Sequence, residues 1–519
     1  KWKHSTYQEF CEALEKCDYE APVIKGDLNP EFTGTFALRT PIRTENRKAE
    51  TRLLDAEKWS ALLGGGAKKV LDNCWWDLFF CQFHDVFSGS HEDITYRNIL
   101  GKFAGVCKES DTALKEALRL EADGRSILCC NSLAWPRSEW VEIEGEAADF
   151  AVYDGENKLP VCMEEGRTYF RVDIPAGGIR QYQIREEKQE TCGEQPARKE
   201  ISNEYLHLVL DERDGIEKLE DHNGNCFISH AADFLVAQQD FGGLQIEMIN
   251  GEEIYASSGE IRIGTVCSNA MEEKITMYGE FPKMPWNKGT NSLSWEAEFS
   301  LRRGEKALRV KLLLDWYGEG TRIRFRIPSC MEGRDVYYEI PFGVVRREAY
   351  KNLPTAKGEW PAHRFVTLEN GKLGIALINK GVAGVEQEGN ALTTTLIRAY
   401  GDSDNVWVKP TPVSSQHGKQ AFEFMIAPYA GDYHDAGIVR LAQEFNQPVK
   451  AWKGYRTLCG GENFREDSWF EVKERNLVLS AVKEAWDGSG DLIVRVYESE
   501  GMAVRGTIRI KGIREVCMS

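Results

Sequence analysis

Arg322-Ile323-Arg324-Phe325-Arg326-Ile327 alternates a cation with an apolar side chain over six residues. Successive side chains of a strand point to opposite faces, so this period of two predicts a half-buried strand with one wet face. Outward from it the same pattern recurs. Val310, Leu312, Leu314 and Trp316 alternate with polar neighbours, as do Phe170, Val172 and Ile174, and near the end Leu492, Val494 and Val496. Turn pairs such as Asp154-Gly155, Asn223-Gly224 and Asn370-Gly371 punctuate these runs, as hairpins require. The stretch after Gly124 is too long for one sandwich and predicts several antiparallel β-sandwiches.

Before Gly124 the period is 3.6. Ile42, Ala49, Leu53, Ala56 and Leu63 form one apolar stripe, Leu71, Cys74, Trp75 and Leu78 a second, and Ile99, Phe103, Val106, Ala113 and Ala117 a third. Gly64-Gly65-Gly66 and Ser88-Gly89-Ser90 break the stripes apart, with Ser90 expected as an N-cap and Asp93 three residues on. Three antiparallel helices with short connections predict a three-helix bundle. The fold class is therefore α+β and multidomain: a three-helix bundle followed by large antiparallel β-sandwich domains.

The 519 residues carry 65 basic and 82 acidic side chains, a net charge of −17. Nucleic acid and anionic membranes need a basic footprint, so neither is expected as a partner. No run of ~18 apolar residues offers a membrane-spanning helix. The chain begins at Lys1, with Tyr7 to Leu14 already reading as an amphipathic helix, so a missing leader carries no weight. The 14 cysteines are scattered, with one adjacent pair, Cys129-Cys130, and no C-x-x-C. That is neither a disulfide framework nor a thiolate zinc site, and points to free thiols in a reducing cytoplasm. Nucleophile-elbow, phosphate-loop, H-E-x-x-H and dinucleotide motifs are absent from the sequence.

The chemistry-bearing candidate is His84-Asp85, which ends an apolar helix before Val86-Phe87-Ser88-Gly89-Ser90. A neutral imidazole binds zinc well, and a neighbouring carboxylate can orient a ligand or grip a hydroxyl. The dipeptide alone is more often a helix-end cation or a satisfied core residue. Zinc needs at least three protein ligands, and His91 is not at the usual ligand spacing.

Gln82-Phe83-His84-Asp85-Val86-Phe87-Ser88-Gly89-Ser90 resembles the signature of glycoside hydrolase family 38 α-mannosidases, bacterial type. Further landmarks resemble that family in order: Gly26 to Phe36, Asn46 to Glu50, Asn131-Ser132-Leu133-Ala134-Trp135-Pro136-Arg137, Asn203-Glu204 with Asp211 to Gly215, Tyr338 to Gly343, and Ala442 to Pro448. The resemblance implies a retaining, zinc-dependent glycosidase that removes terminal α-linked mannose from oligosaccharides or glycoconjugates. It makes His84 the fourth zinc ligand and Asp85 a contact of the mannose hydroxyls. The other ligands, the aspartate nucleophile that forms a glycosyl-enzyme, and the acid/base belong to the family's N-terminal barrel. The one H-x-D of this sequence, His91-Glu92-Asp93, follows the His84 block instead of preceding it as the barrel motif would, so no catalytic residue is expected within the chain, and the barrel domain is an expected partner. The implied plan is 1–41 as the end of the barrel, 42–124 as the bundle, 125–198 as a small β domain, 199–450 as a super-sandwich and 451–519 as a truncated C-terminal β region. A homo-oligomer stays open. The alternative is a non-catalytic carbohydrate-binding or structural β-sandwich protein derived from the family.

Overall fold

The structure is a computed structural model describing residues 3–20, 22–23, 32–122, 124–144, 150–164, 166–187, 198–244, 249–332, 335–347, 359–401, 409–456 and 466–513. Most of the Gly26–Phe36 landmark, residues 26–31, lies outside the described residues.

Six helices run α1 (Tyr7–Glu15), α2 (Pro41–Leu63), α3 (Lys68–Cys81), α4 (His84–Phe87), α5 (Asp93–Leu118) and α6 (Ile438–Asn446) among the described residues. Helix α1 forms where the amphipathic pattern predicted it, but buries none of its residues. Helix α2 starts with Pro41 at its first turn and ends at Gly64, whose φ of 74° only glycine adopts without strain. The three apolar stripes meet: Ile42, Leu53, Leu78, Phe103 and Leu114 are all buried in one core. That core does not stop at the helices. Leu128, Trp135, Trp452, Phe470 and Val482 complete it from β structure, and the Trp59 and Phe470 rings lie 5.7 Å apart.

The expected N-cap does not hold. Helix α5 begins at Asp93, with Glu92 as its cap residue and no side-chain capping bond. Ser90 is engaged elsewhere, its Oγ 2.7 Å from that of Ser88, and Asp93 is committed to Arg39 and Thr411.

Beyond Gly124 the regular elements of the described residues are antiparallel β strands, apart from single 3-10 turns at Ala256–Ser258 and Asn287–Gly289 and two larger exceptions. One is helix α6, which no alternation pattern anticipated; it buries Ile438, Val439, Ala442 and Phe445 along one face. The other is a parallel pairing of Lys450–Lys453 with Arg137–Glu144. A six-stranded and a nine-stranded sheet pack face to face. Their facing side chains, among them Ile323, Phe325, Val310, Leu312, Leu314 and Trp316, form the largest core. A four-stranded sheet spanning Glu200–Ala231 joins the same core. The remaining nine-stranded sheet combines strands from 126–186 with Lys450–Lys453 and Glu466–Ser468. One sheet thus draws on two stretches that the domain plan set apart.

The predicted wet face of Arg322, Arg324 and Arg326 is corrected by the structure. Arg322 and Arg324 are 3% and 0% exposed. Arg324 donates to Glu386 at 2.8 Å and to Glu388, and Arg326 donates to Glu388 at 2.9 Å and to Asp233 at 2.8 Å. Burial alone would raise the Glu388 carboxyl, but Arg324 and Arg326 outweigh it and hold Glu388 down to about 2. Alternation is the same for a solvated face and for a face covered by matched ions, which is why the period misled.

Candidate functional site

The landmark residues are mostly pins. Asn131 is fully buried; its amide donates to the carbonyls of Trp135 at 2.9 Å and Pro175 at 2.8 Å and accepts from Leu133 N–H at 3.0 Å. Asn203 likewise donates to Arg302 and Glu305 carbonyls while its Oδ1 takes the Tyr205 and Leu206 N–H groups. Asp211 closes a turn by accepting from Arg213 N–H at 2.7 Å. Asn446 ties α6 to the carbonyl of Asn379 at 3.0 Å. These residues hold chain crossings, not reacting atoms.

His84-Asp85 is different. Helix α3 ends at Cys81, three residues before His84, so the pair does not close that helix as its sequence suggested. Gln82 N–H returns to Leu78 O at 2.9 Å, and Gln82 Nε2 donates to Asn46 on α2 at 3.1 Å. Phe83 then extends with ψ 141° and its carbonyl accepts both Val86 and Phe87 N–H at 2.9 Å, starting the single turn α4. Val86 is the buried anchor of that turn. Arg43 Nη2 holds the Phe87 carbonyl at 2.7 Å from α2. Gly89 follows with φ 71°, and a Cβ there would sit 2.9 Å from the Leu38 carbonyl oxygen.

This bolted backbone carries two free-standing side chains. Those of His84 and Asp85 are 79% and 72% exposed, with Nε2 of His84 3.5 Å from Oδ1 of Asp85. The Phe83 ring lies against His84, tilted by 49°, with centroids 4.2 Å apart. Beside the turn, Trp76, Phe79, Phe80, Phe83 and Ile94 are all exposed. Large exposed apolar groups, three of them on α3, beside a polar pair make a surface built to be covered or to stack on something.

As a zinc site the donor set is incomplete. His84 fits one ligand position and Asp85 lies close enough to assist, but no group of three or more His, Cys, Asp or Glu side chains among the described residues is placed to hold an ion. His91 is not part of such a set. It is half-buried near Arg39 and Tyr96, and burial, together with the Arg39 charge, pushes it down to about 4 against the opposing pull of Asp93.

Sequence reasoning missed the clamp beneath the turn. Buried Arg39 meets Asp93 at 2.7 Å, and Thr411 Oγ1 donates to Asp93 at 2.9 Å. Thr411 N–H is taken by Ser414 Oγ at 2.8 Å. The clamp joins the approach to α2, the start of α5 and a loop more than 300 residues later. Only a long-range pairing signal could have found it, because each residue looks like ordinary surface polarity in its own stretch.

No helix of the described residues is long and apolar enough to cross a membrane. Residues 31–120 match the alpha mannosidase middle domain, and residues 201–405 match the C-terminal domain of glycosyl hydrolases family 38. Alpha-mannosidase 2C1 of Homo sapiens is 23% identical over 96% of this chain and 48% of its own length. Alpha-mannosidase of Saccharomyces cerevisiae is 21% identical over 96% of this chain and 45% of its own. The chain therefore spans about half the length of these curated relatives. The crystal structure of an α-mannosidase from Enterococcus faecalis V583 superposes with a TM-score of 0.83 at 15% identity, covering 98% of this chain and 68% of that one. Two domain matches in the expected order and a shared fold along nearly the whole length leave one assignment: the chain belongs to glycoside hydrolase family 38, of which it carries the middle and C-terminal domains.

Proposed function

We propose that this chain is the helical and β-sandwich part of a zinc-dependent, retaining α-mannosidase that acts on terminal α-linked mannose of oligosaccharides or glycoconjugates. The observation that carries the reading is the α4 turn. Its backbone is fixed by Arg43, Val86 and Gly89, while His84 and Asp85 stand exposed side by side. A purely structural histidine gains nothing from such exposure. In this reading the exposed aromatic face of α3 is covered by a further, N-terminal catalytic segment, which supplies the nucleophile, the acid/base and the remaining ligands. The half-length match to the relatives supports it.

A zinc ion bound there would supply Lewis-acid polarisation of sugar hydroxyls. Within this chain, His84 would offer a ring nitrogen to the metal, and Asp85 would accept a hydrogen bond from a mannose hydroxyl and so fix the sugar's orientation. With one ligand and no positioned nucleophile, the chain alone would be inactive.

The test compares this chain with the protein extended upstream of Lys1. Hydrolysis of an aryl α-mannoside and zinc content are measured for both, and for His84→Ala in the longer form. The expected result is activity only in the longer form, with zinc affinity and activity falling together by roughly 10–100-fold or more in the variant, as for damage to a metal site. Turnover by the 519-residue chain alone would place the catalytic residues here and sink the proposal. Absence of turnover in both would favour a non-catalytic carbohydrate-binding protein.

A further inference from the structure

Among the described cysteines, Cys74, Cys81, Cys107, Cys129, Cys130 and Cys162 are buried. Their burial keeps a small-molecule disulfide away from these thiols. One pair differs from these. The sulfurs of Cys226 and Cys330 lie 3.2 Å apart although 104 residues separate them. Cys226 opens the strand Cys226–Ala231 of the four-stranded sheet, and Cys330 follows the strand Thr321–Pro328 of the six-stranded sheet. Between them the Cys330 N–H donates to the Phe227 carbonyl at 2.9 Å, so the two backbones are already held side by side. Cys330 is exposed and Cys226 is half-buried.

We propose that Cys226 and Cys330 are a modification site at which a reversible disulfide forms. The present contacts are soft: Cys226 Sγ donates to Ile228 O at 3.3 Å, and Cys330 Sγ to Ser229 Oγ at 3.2 Å. Rotation of two side chains brings the sulfurs from 3.2 Å to the ~2.0 Å of a disulfide without moving strands that are already bonded. The order of events follows from access. The exposed Cys330, as thiolate, attacks one sulfur of a small-molecule disulfide such as oxidised glutathione, and one glutathione thiolate leaves. Cys226, pushed up to about 12 by burial and by its neighbouring thiol, gives its proton to solvent when it attacks the Cys330 sulfur. The second glutathione thiolate then departs. Two protein thiols are oxidised, one small-molecule disulfide is reduced to two thiols, and the two protons released are taken up by the departing thiolates. The product ties the four-stranded sheet to the six-stranded one and shortens the unfolded chain's freedom by a loop of 104 residues.

The test equilibrates the purified chain with mixtures of reduced and oxidised glutathione, blocks free thiols with iodoacetamide, and maps peptides by mass before and after dithiothreitol. The expected result is a linked 226–330 peptide pair, lighter by two hydrogen atoms and lost on reduction, with a higher melting temperature in the oxidised form. Cys226→Ser and Cys330→Ser should each remove the pair and the shift while melting like the reduced protein. If either variant misfolds, alkylation of the unmutated protein still decides. Full labelling of both thiols after oxidation overturns the proposal. So does a map pairing either one with Cys11, Cys17 or any other cysteine instead.

Discussion

Replacing Arg324 by alanine removes a fully buried cation that faces Glu386 at 2.8 Å and Glu388. Its neighbours cushion the loss only in part. Arg326 keeps Glu388 at 2.9 Å, but Arg322 reaches Glu386 at 3.7 Å, too far for a hydrogen bond. Removing one partner from a buried ion pair costs about 3–5 kcal/mol, because the partner charge stays desolvated. With Arg326 still in place we expect the lower half of that range. Arg324→Met keeps the apolar stem and should recover about 1–2 kcal/mol. Pairing it with Glu386→Gln, which withdraws the stranded charge, should recover more. Urea unfolding at neutral pH measures the cost. Hydrogen exchange on peptides covering Thr321–Pro328 shows whether the loss is local to that strand. The exposed pair Arg262–Glu260, 2.9 Å apart on the surface, is the control and should show no change when Arg262 becomes alanine. A loss below about 1 kcal/mol for Arg324→Ala, the size of a surface pair, would refute the reasoning.

Acid should dissolve part of this network. Glu388 sits at about 2 in the folded chain against an ordinary 4.5, so its contribution is fully present above pH 4.5 and is lost as pH falls towards 2. The stability gap between the wild type and Glu388→Gln, measured by urea unfolding, should therefore narrow steadily over that window. Asn131→Ala leaves two buried carbonyls and one N–H without their partner and should cost about 3 kcal/mol in the same assay. Gly89→Ala imposes a left-handed φ of 71° on a residue with a Cβ, 2.9 Å from Leu38 O. It should cost about 1–2 kcal/mol by thermal melting, with the α4 turn as the first segment to lose exchange protection.

Much of this architecture was legible because apolar spacing reports directly on burial. Ile42, Leu53, Leu78 and Phe103 sit in the core that their helical period implied, and Val310 to Trp316 face inward as alternation required. What was missed has a common cause. The Arg322–Arg326 face is buried because other strands bring it carboxylates, and Ser90 fails as a cap because Ser88 and the Arg39–Asp93–Thr411 clamp redirect the chain. Both depend on partners distant in sequence, which no local period encodes. Helix α6 is the exception. Ile438, Val439, Ala442 and Phe445 have helical spacing in plain view, and the nine-residue element was overlooked amid surrounding strands. For the candidate site, the dipeptide was visible while its setting was not: the separate turn at His84 depends on Phe83 and on Arg43 from another helix.

The strand Lys450–Lys453 lies between Ser126–Asn131 and Arg137–Glu144, antiparallel to the first and parallel to the second. During synthesis those two strands leave the ribosome some 300 residues before the one that joins them. At ~5–20 residues per second, they wait roughly 15–60 s with unpaired edges. Cys129 and Leu128, buried in the finished sheet, are uncovered during that interval. Nascent chains of this protein should therefore depend on holdase chaperones until residue 453 has emerged, and ribosome stalls placed before that point should yield more aggregate than stalls placed after it.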